Sequence, residues 1–289
     1  MSEYCQGFYP VNIIFALEIL EMKKAVFCFL VILSACNNNN EDASTVKPVI
    51  ETSSEEKRLK DAILKYPDSL ILRENLVQYF RDNRNYFNAI KEIDEAIHKD
   101  SLNPRLWDIK AILHFEDTDT AKAIFSFEKA LLIFPDPQYI ISLGTLYAQT
   151  KNPLALEMAD ALLIGKKANA DKEAFFIKGL YYSFNNEKIK AISYFDKCLA
   201  MNYTFMDAYR EKAIALYDLG KYEEALAVLD KAITLQNNFD EGYYYSGRCL
   251  EKLNRKEEAI QAYQNALVYD PDYIEAKDAL GKLGAGSGK

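Results

Sequence analysis

The sequence predicts an all-α solenoid of antiparallel helix pairs, and three observations carry that prediction. Six consecutive blocks of 34 residues fit end to end from Leu70 to Tyr273. A small residue recurs at one phase in five blocks, at Ala89, Ala123, Ala191, Ala225 and Ala259, and another follows seven positions later, at Ala96, Ala130, Cys198, Ala232 and Ala266. Apolar residues return every three or four positions on two successive segments of a block, as paired amphipathic helices require. A fixed period of this length means stacked supersecondary units rather than one closed core. It favours a binding scaffold over an enzyme.

The elements follow in order along the sequence. Residues 1–21 precede a signal-like stretch and carry Glu18 and Glu21 where a signal should turn basic. They read as an extension, with Met22 as the true start. Residues 22–35 have the layout of a secretory signal peptide: Lys23 and Lys24, the nine apolar residues Ala25 to Leu33, then Ser34 and Ala35. That apolar run is too short to span a bilayer as a helix. The tetrad Leu33-Ser34-Ala35-Cys36 resembles the bacterial lipobox, which implies cleavage before Cys36 and lipidation of that cysteine. Several acyl groups on one cysteine would anchor the protein stably. Residues 36–54 are polar and of low complexity, and are expected to form a flexible tether. The resemblance to bacterial lipoproteins further implies, from Asn37 rather than Asp after the cysteine, the outer membrane of a Gram-negative bacterium, facing the periplasm or the surface.

The repeat domain is expected over residues 55–284. A half repeat at 55–69 has Leu59 and Ala62 in phase and Pro67 after it. Six repeats follow, at 70–103, 104–137, 138–171, 172–205, 206–239 and 240–273. In the last, one helix runs Glu241 to Leu253, a break falls at Asn254, and a second runs Lys256 to Tyr269 before Pro271. Tyr243, Gly247 and Leu250 share a face of the first; Ala259, Tyr263 and Ala266 share a face of the second. The block 138–171 fits worst, with Leu143, Gly144 and Tyr147 one residue out of phase and Pro153 near its turn, so it is expected to be distorted. A capping helix at 274–284 follows, then a frayed tail at 285–289. Gly286-Ser287-Gly288-Lys289 follows no strand and opens no helix, so it fails as a phosphate loop.

These positions resemble the tetratricopeptide repeat family, whose pattern sets aromatic, apolar, Gly/Ala, aromatic, Ala, aromatic, Ala and Pro at fixed places. The block 104–137 supplies Trp107, Ala111, Ala123, Phe127, Ala130 and Pro135; the block 206–239 supplies Tyr209, Ala213, Leu216, Gly220, Tyr222, Ala225, Leu229 and Ala232. The resemblance implies a right-handed superhelix whose first helices line a concave groove for a protein or peptide partner. Carried over by phase, that groove includes Phe176, Leu180, Ser183, Arg210, Ile214, Tyr217, Tyr244, Arg248 and Glu251, and in the N-terminal half Glu74, Gln78, Arg81, Asp108, Ile112 and Phe115. The family's Lys and Asn set for gripping a partner's C-terminal carboxylates is absent, so tail binding of that type is disfavoured.

Other chemistry is sparse. The formal net charge is -8 and no Lys/Arg cluster stands out, so nucleic acid is a poor partner. The five cysteines, at 5, 28, 36, 198 and 249, share no metal-like spacing. A Cys198–Cys249 disulfide is not expected, because each repeat contacts only its neighbours. His114 falls at a core phase, and Glu223-Glu224 and Glu257-Glu258 complement helix dipoles rather than forming catalytic pairs. No metal or cofactor is expected. The resulting expectation is a lipid-anchored, non-enzymatic adaptor at the cell envelope. The alternative is a glycan-capturing lipoprotein on similar helices, which long non-repeat insertions would have favoured.

Overall fold

A computed structural model describes residues 54–165 and 170–285. The expectations for the extension, signal, Cys36 and tether, and for most of the C-terminal tail, lie outside the described residues. Fourteen helices and no strand occur among those residues. They are α1 (Ser54–Lys65), α2 (Leu70–Asp82), α3 (Tyr86–Lys99), α4 (Pro104–Glu116), α5 (Thr120–Ile133), α6 (Pro137–Gln149), α7 (Leu154–Ile164), α8 (Asp171–Phe184), α9 (Lys188–Met201), α10 (Met206–Asp218), α11 (Tyr222–Leu235), α12 (Asp240–Lys252), α13 (Lys256–Tyr269) and α14 (Ile274–Lys282). None is long and apolar enough to cross a membrane.

The protein divides into two compact units, the chain passing from one to the other between Ala123 and Ile124 in α5. Each is built of antiparallel helix pairs, the solenoid architecture expected. In the N-terminal unit, Leu59 of α1 packs with Leu76, Val77 and Phe80 of α2, Ile93 of α3 and Leu106 of α4. In the C-terminal unit each helix from α6 to α14 packs on the next, and the first helices α8, α10 and α12 also touch in sequence.

The period is written into the turns. A residue with positive φ ends the first helix of each pair: Arg84, Thr118, Lys151, Asn186, Gly220 and Asn254. Each is followed by an N–H that donates five residues back, from Asn85 to Phe80 O, Asp119 to His114 O, Asn152 to Tyr147 O, Glu187 to Tyr182 O, Lys221 to Leu216 O and Arg255 to Leu250 O, all at 2.8 or 2.9 Å. This bond closes the Schellman motif, which satisfies carbonyls that the helix end would leave without partners. It reverses the backbone within three or four residues, so the two helices of a pair fold against each other.

The small residues are steric requirements. Ala89, Ala123, Ala191, Ala225 and Ala259 are fully buried, as are Ala130, Cys198, Ala232 and Ala266 seven positions on from their partners. A Cβ on Gly179 would sit 2.4 Å from the Phe195 ring, and one on Gly247 would sit 2.6 Å from the Tyr263 ring. The aromatic of the second helix thus occupies the space that the glycine of the first vacates.

The repeat at 138–171 is displaced. Its positive-φ residue is Lys151, 33 residues after Thr118 and 35 before Asn186. Its second helix α7 has 11 residues where the other second helices have 14, and it buries Ala155, Ala159 and Leu162. The longer connection from Gly165 to Ala170 restores the phase before α8. α7 begins in phase, 34 residues after α5 and 34 before α9, so its shortness lies at its C-terminal end at Ile164. Pro153, with φ of -62° and no N–H to contribute, precedes its first turn.

Candidate functional site

The face predicted to receive a partner is presented by α8, α10 and α12. Its residues fall into three groups. Phe176 and Leu180 belong largely to the packing of the unit. The Phe176 ring lies 5.1 Å from Phe205 and 5.9 Å from Phe195, and Leu180 is only 4% exposed. Leu180 therefore offers a partner almost no surface. Ser183 is also buried, and its hydroxyl accepts from Lys188 Nζ at 3.3 Å.

Ile214, Tyr217, Tyr244 and Arg248 form a half-buried aromatic floor. Ile214, Tyr217 and Tyr244 pack against the core formed by Ala213, Leu216, Leu229, Tyr245 and Cys249. The Tyr244 ring meets Tyr245 at 5.1 Å, Tyr263 at 5.7 Å and Tyr273 at 4.9 Å. The Arg248 guanidinium lies over Tyr217, Tyr244 and Tyr245, at 4.9, 5.9 and 5.5 Å from their centroids. A cation over ring faces is attracted by their quadrupoles. Arg248 has no carboxylate ion pair among the described residues. Glu251, at the end of the face, is exposed and accepts from the Tyr263 hydroxyl.

Arg210 anchors the third group. Its side chain is 12% exposed and meets three carboxylates, Glu241 at 2.5 Å, Asp207 at 3.0 Å and Glu211 at 3.2 Å. Glu211 is buried. Burial pushes the Glu211 and Glu241 carboxyls up from the usual carboxylate range, and Arg210 pulls against that shift. The Arg210 guanidinium is driven up by the same three acids, more than offsetting its own burial. Sequence reasoning named Arg210 and passed over its partners. The signal was present: Glu173, Asp207, Glu241 and Glu275 recur at one phase, 34 residues apart.

The corresponding face of the N-terminal unit pairs its charges internally. Arg105 donates twice to Glu74, at 2.8 and 2.9 Å, and Arg81 donates twice to Glu116. Gln78 donates to Asp82 at 2.6 Å. Asp108, Ile112 and Phe115 are half-buried.

The residues set aside as structural sit accordingly. Cys198 and Cys249 are buried free thiols, each pushed up to about 12 by burial. A thiol held protonated in this way is a poor nucleophile. His114 is buried with its Nδ1 lacking a hydrogen-bond partner. Glu223 and Glu257 open α11 and α13 with their neighbours Glu224 and Glu258, all exposed; Glu224 pairs with Lys221 and Glu258 with Arg255. Among the described residues no group of three His, Cys, Asp or Glu side chains is arranged to hold a metal ion.

Comparison with known proteins places the repeats. A family model described as tetratricopeptide repeat matches residues 178–238 and 211–274. A 53-residue stretch is 40% identical to an uncharacterized protein of Methanocaldococcus jannaschii, covering 18% of this chain and 62% of that one. The match therefore spans about three fifths of that relative's length. Among solved structures, a tetratricopeptide repeat protein from Parabacteroides merdae aligns with a TM-score of 0.67 at 20% identity, over 79% of this chain and 91% of its own. PilW, a type IV pilus biogenesis factor, aligns with a TM-score of 0.57 at 19% identity, over 72% of this chain and 97% of its own. A thermophilic repeat protein of Thermus thermophilus aligns with a TM-score of 0.55 at 18% identity, over 62% and 98%. At these identities the likeness is one of fold.

Proposed function

We propose, from the match of residues 178–274 to the tetratricopeptide repeat family and the repeat fold of the chain, that the protein is a scaffold holding a protein or peptide partner on the face of α8, α10 and α12. One observation carries the choice of face: the Arg248 guanidinium lies on three tyrosine rings without a carboxylate partner among the described residues. In the N-terminal unit the arginines of this face, Arg81 and Arg105, are paired with acids of the same unit. A half-buried arginine on an aromatic floor is the kind of anchor that dominates protein interfaces, because Tyr and Arg are enriched among the residues that contribute most binding energy.

The proposal also includes the cell envelope. A lipid on Cys36 would hold the repeats at a membrane through the tether at residues 36–54, on the evidence of the signal and lipobox pattern. Metabolic labelling with an alkyne fatty acid tests the anchor. The full-length protein is expected to take up label and Cys36→Ser to lose it; equal labelling of both overturns the anchor.

Affinity capture from solubilised envelope tests the face. The wild-type protein and a Tyr217→Ala, Arg248→Ala double variant are compared. Partners retained by the wild type and lost by the variant are expected. If every partner survives the double change, the face is wrongly assigned.

A further inference from the structure

A recess of about 370 Å³ lies among α9, α10 and α11. Small-molecule pockets typically measure about 300–1,000 Å³. Leu199, Ala227 and Val228 give it apolar walls, and Tyr209, Asp196, Lys212 and Lys231 give it a polar lining. It is set apart from the partner face. Lys212 and Ile214 are two residues apart on α10, about 200° of helical turn, so they leave opposite sides of that helix.

Tyr209 is 2% exposed, and its buried hydroxyl has no hydrogen-bond partner among the described residues. The same phase of other repeats shows what is missing. Trp107 Nε1 donates to Ser101 O at 3.0 Å, and the Tyr243 hydroxyl donates to Asn237 O at 3.1 Å. Each takes the carbonyl six residues upstream; Tyr209 makes no such bond to Tyr203. A buried phenol normally finds a partner, and one that does not is left to be explained. The charges of the lining are unequal as well. Lys212 is held by Asp196 at 2.6 Å. Lys231 has no carboxylate partner among the described residues, and its ammonium stands 5.7 Å from the centroid of the Tyr209 ring. Lys197 stands over Phe175 in the same way, at 6.0 Å, but Phe175 has no hydroxyl to satisfy. Two lysines against one aspartate leave the recess with one positive charge in excess.

We propose that this recess binds a small carboxylic acid with an apolar body. Its carboxylate accepts from the Tyr209 hydroxyl and from Lys231 Nζ, and its body packs on Leu199, Ala227 and Val228. The chemistry is complementary on each count. A phenol and an ammonium offer donors, an ionised carboxylate is acceptor only, and its charge cancels the excess. Hydrogen bonds to an ionised group are roughly twice as strong as neutral ones. The apolar walls gain by losing contact with water. A ligand carrying an ammonium would meet Lys231 and be repelled, so the same lysine contributes to selection. The site takes nothing from the face of α8, α10 and α12 and stands or falls apart from it.

The probes are para-fluorophenylacetate, its neutral amide and para-fluorophenethylamine, titrated against the full-length protein and followed by fluorine NMR. The acid is expected to bind at least about 5-fold more tightly than the amide, and the amine more weakly than either. Tyr209→Phe should weaken the acid about 10-fold, the size of a lost hydrogen bond to a charged group. The same variant should unfold at no lower temperature than wild type when no ligand is present, because it only removes an unsatisfied hydroxyl. Lys231→Gln should bring acid and amide within about 2-fold of each other. Ala227→Leu, which fills the recess, should abolish binding of the acid. The preference for the acid should persist in Lys252→Gln, an exposed lysine of α12 that carries the same charge. Equal binding of acid and amide by the wild type overturns the carboxylate site. So does undiminished binding of the acid by Tyr209→Phe or by Ala227→Leu. Equal loss of preference in Lys252→Gln reduces the effect to net charge and overturns it too, as does absence of binding by the acid at millimolar concentration.

Discussion

Arg210 donates to Glu241 at 2.5 Å across 31 residues of sequence, linking the first helices of two successive repeats. The bond is part of the packing and part of the candidate site, because the same guanidinium neutralises the buried Glu211. Truncation as Arg210→Ala leaves an uncompensated buried charge and should cost about 3–5 kcal/mol. Burial raises the Glu211 and Glu241 carboxyls, so without Arg210 they are more easily protonated in the fold than in the unfolded state. Stability of the variant should therefore rise as pH falls from 8 towards 5.5. Urea unfolding at both pH values checks this; a variant as stable as wild type at pH 8 would show that the pairing is inconsequential.

Gly247 faces the Tyr263 ring, where a Cβ would lie 2.6 Å from Cε1. Gly247→Ala should force the ring from its place and cost about 1–3 kcal/mol. Thermal unfolding reads the loss. Gly281→Ala, where a Cβ would meet nothing within 4 Å, is the matched control and should be neutral or stabilising.

The six turns predict opposite effects at Lys151 and Gly220. Both have positive φ, 59° and 75°. Lys151→Gly should stabilise by about 1 kcal/mol, because a side chain there strains the backbone, and Gly220→Ala should cost a similar amount. A chemical denaturation series on the two variants checks the signs.

His114 is buried, 6% exposed, and its imidazole is held below its ordinary pKa of 6.5 by burial, with Lys110 adding to the shift. The unfolded state binds a proton near 6.5 that the folded state refuses until lower pH. Stability should then fall as pH drops below about 6.5. His114→Phe should flatten that stretch of the stability profile from pH 7 to 5. A profile unchanged by the substitution would assign the acid sensitivity elsewhere.

The repeat was legible because its determinants are local. Positions such as Ala89 and Ala225 are small for a steric reason that each block repeats, and the turn at Asn254 was visible as a break between two apolar runs. The shift in the block at 138–171 was legible from Gly144 and Tyr147; that the longer Gly165–Ala170 connection repairs it was not, since loop length carries no periodic signal. The face was only partly readable. A phase rule treats all first helices alike, whereas α8 has α6 packed directly on it, with Ile177 3.0 Å from where a Gly144 Cβ would stand. Leu180 is buried on that helix. Asp207 and Glu241 were hidden by ambiguity: acids in the first turn of a helix complement its dipole. Only three dimensions show that both also point at Arg210.

The central claim is that partners bind the face of α8, α10 and α12. A photo-crosslinking amino acid installed at Tyr217 in the full-length protein, expressed in its own cells, tests it most directly, with the same group at Ile189, an exposed residue of the second helix α9, as the control. The account predicts a discrete cross-linked protein from position 217 that is absent from position 189. The same product from both positions, or from 189 alone, would contradict it.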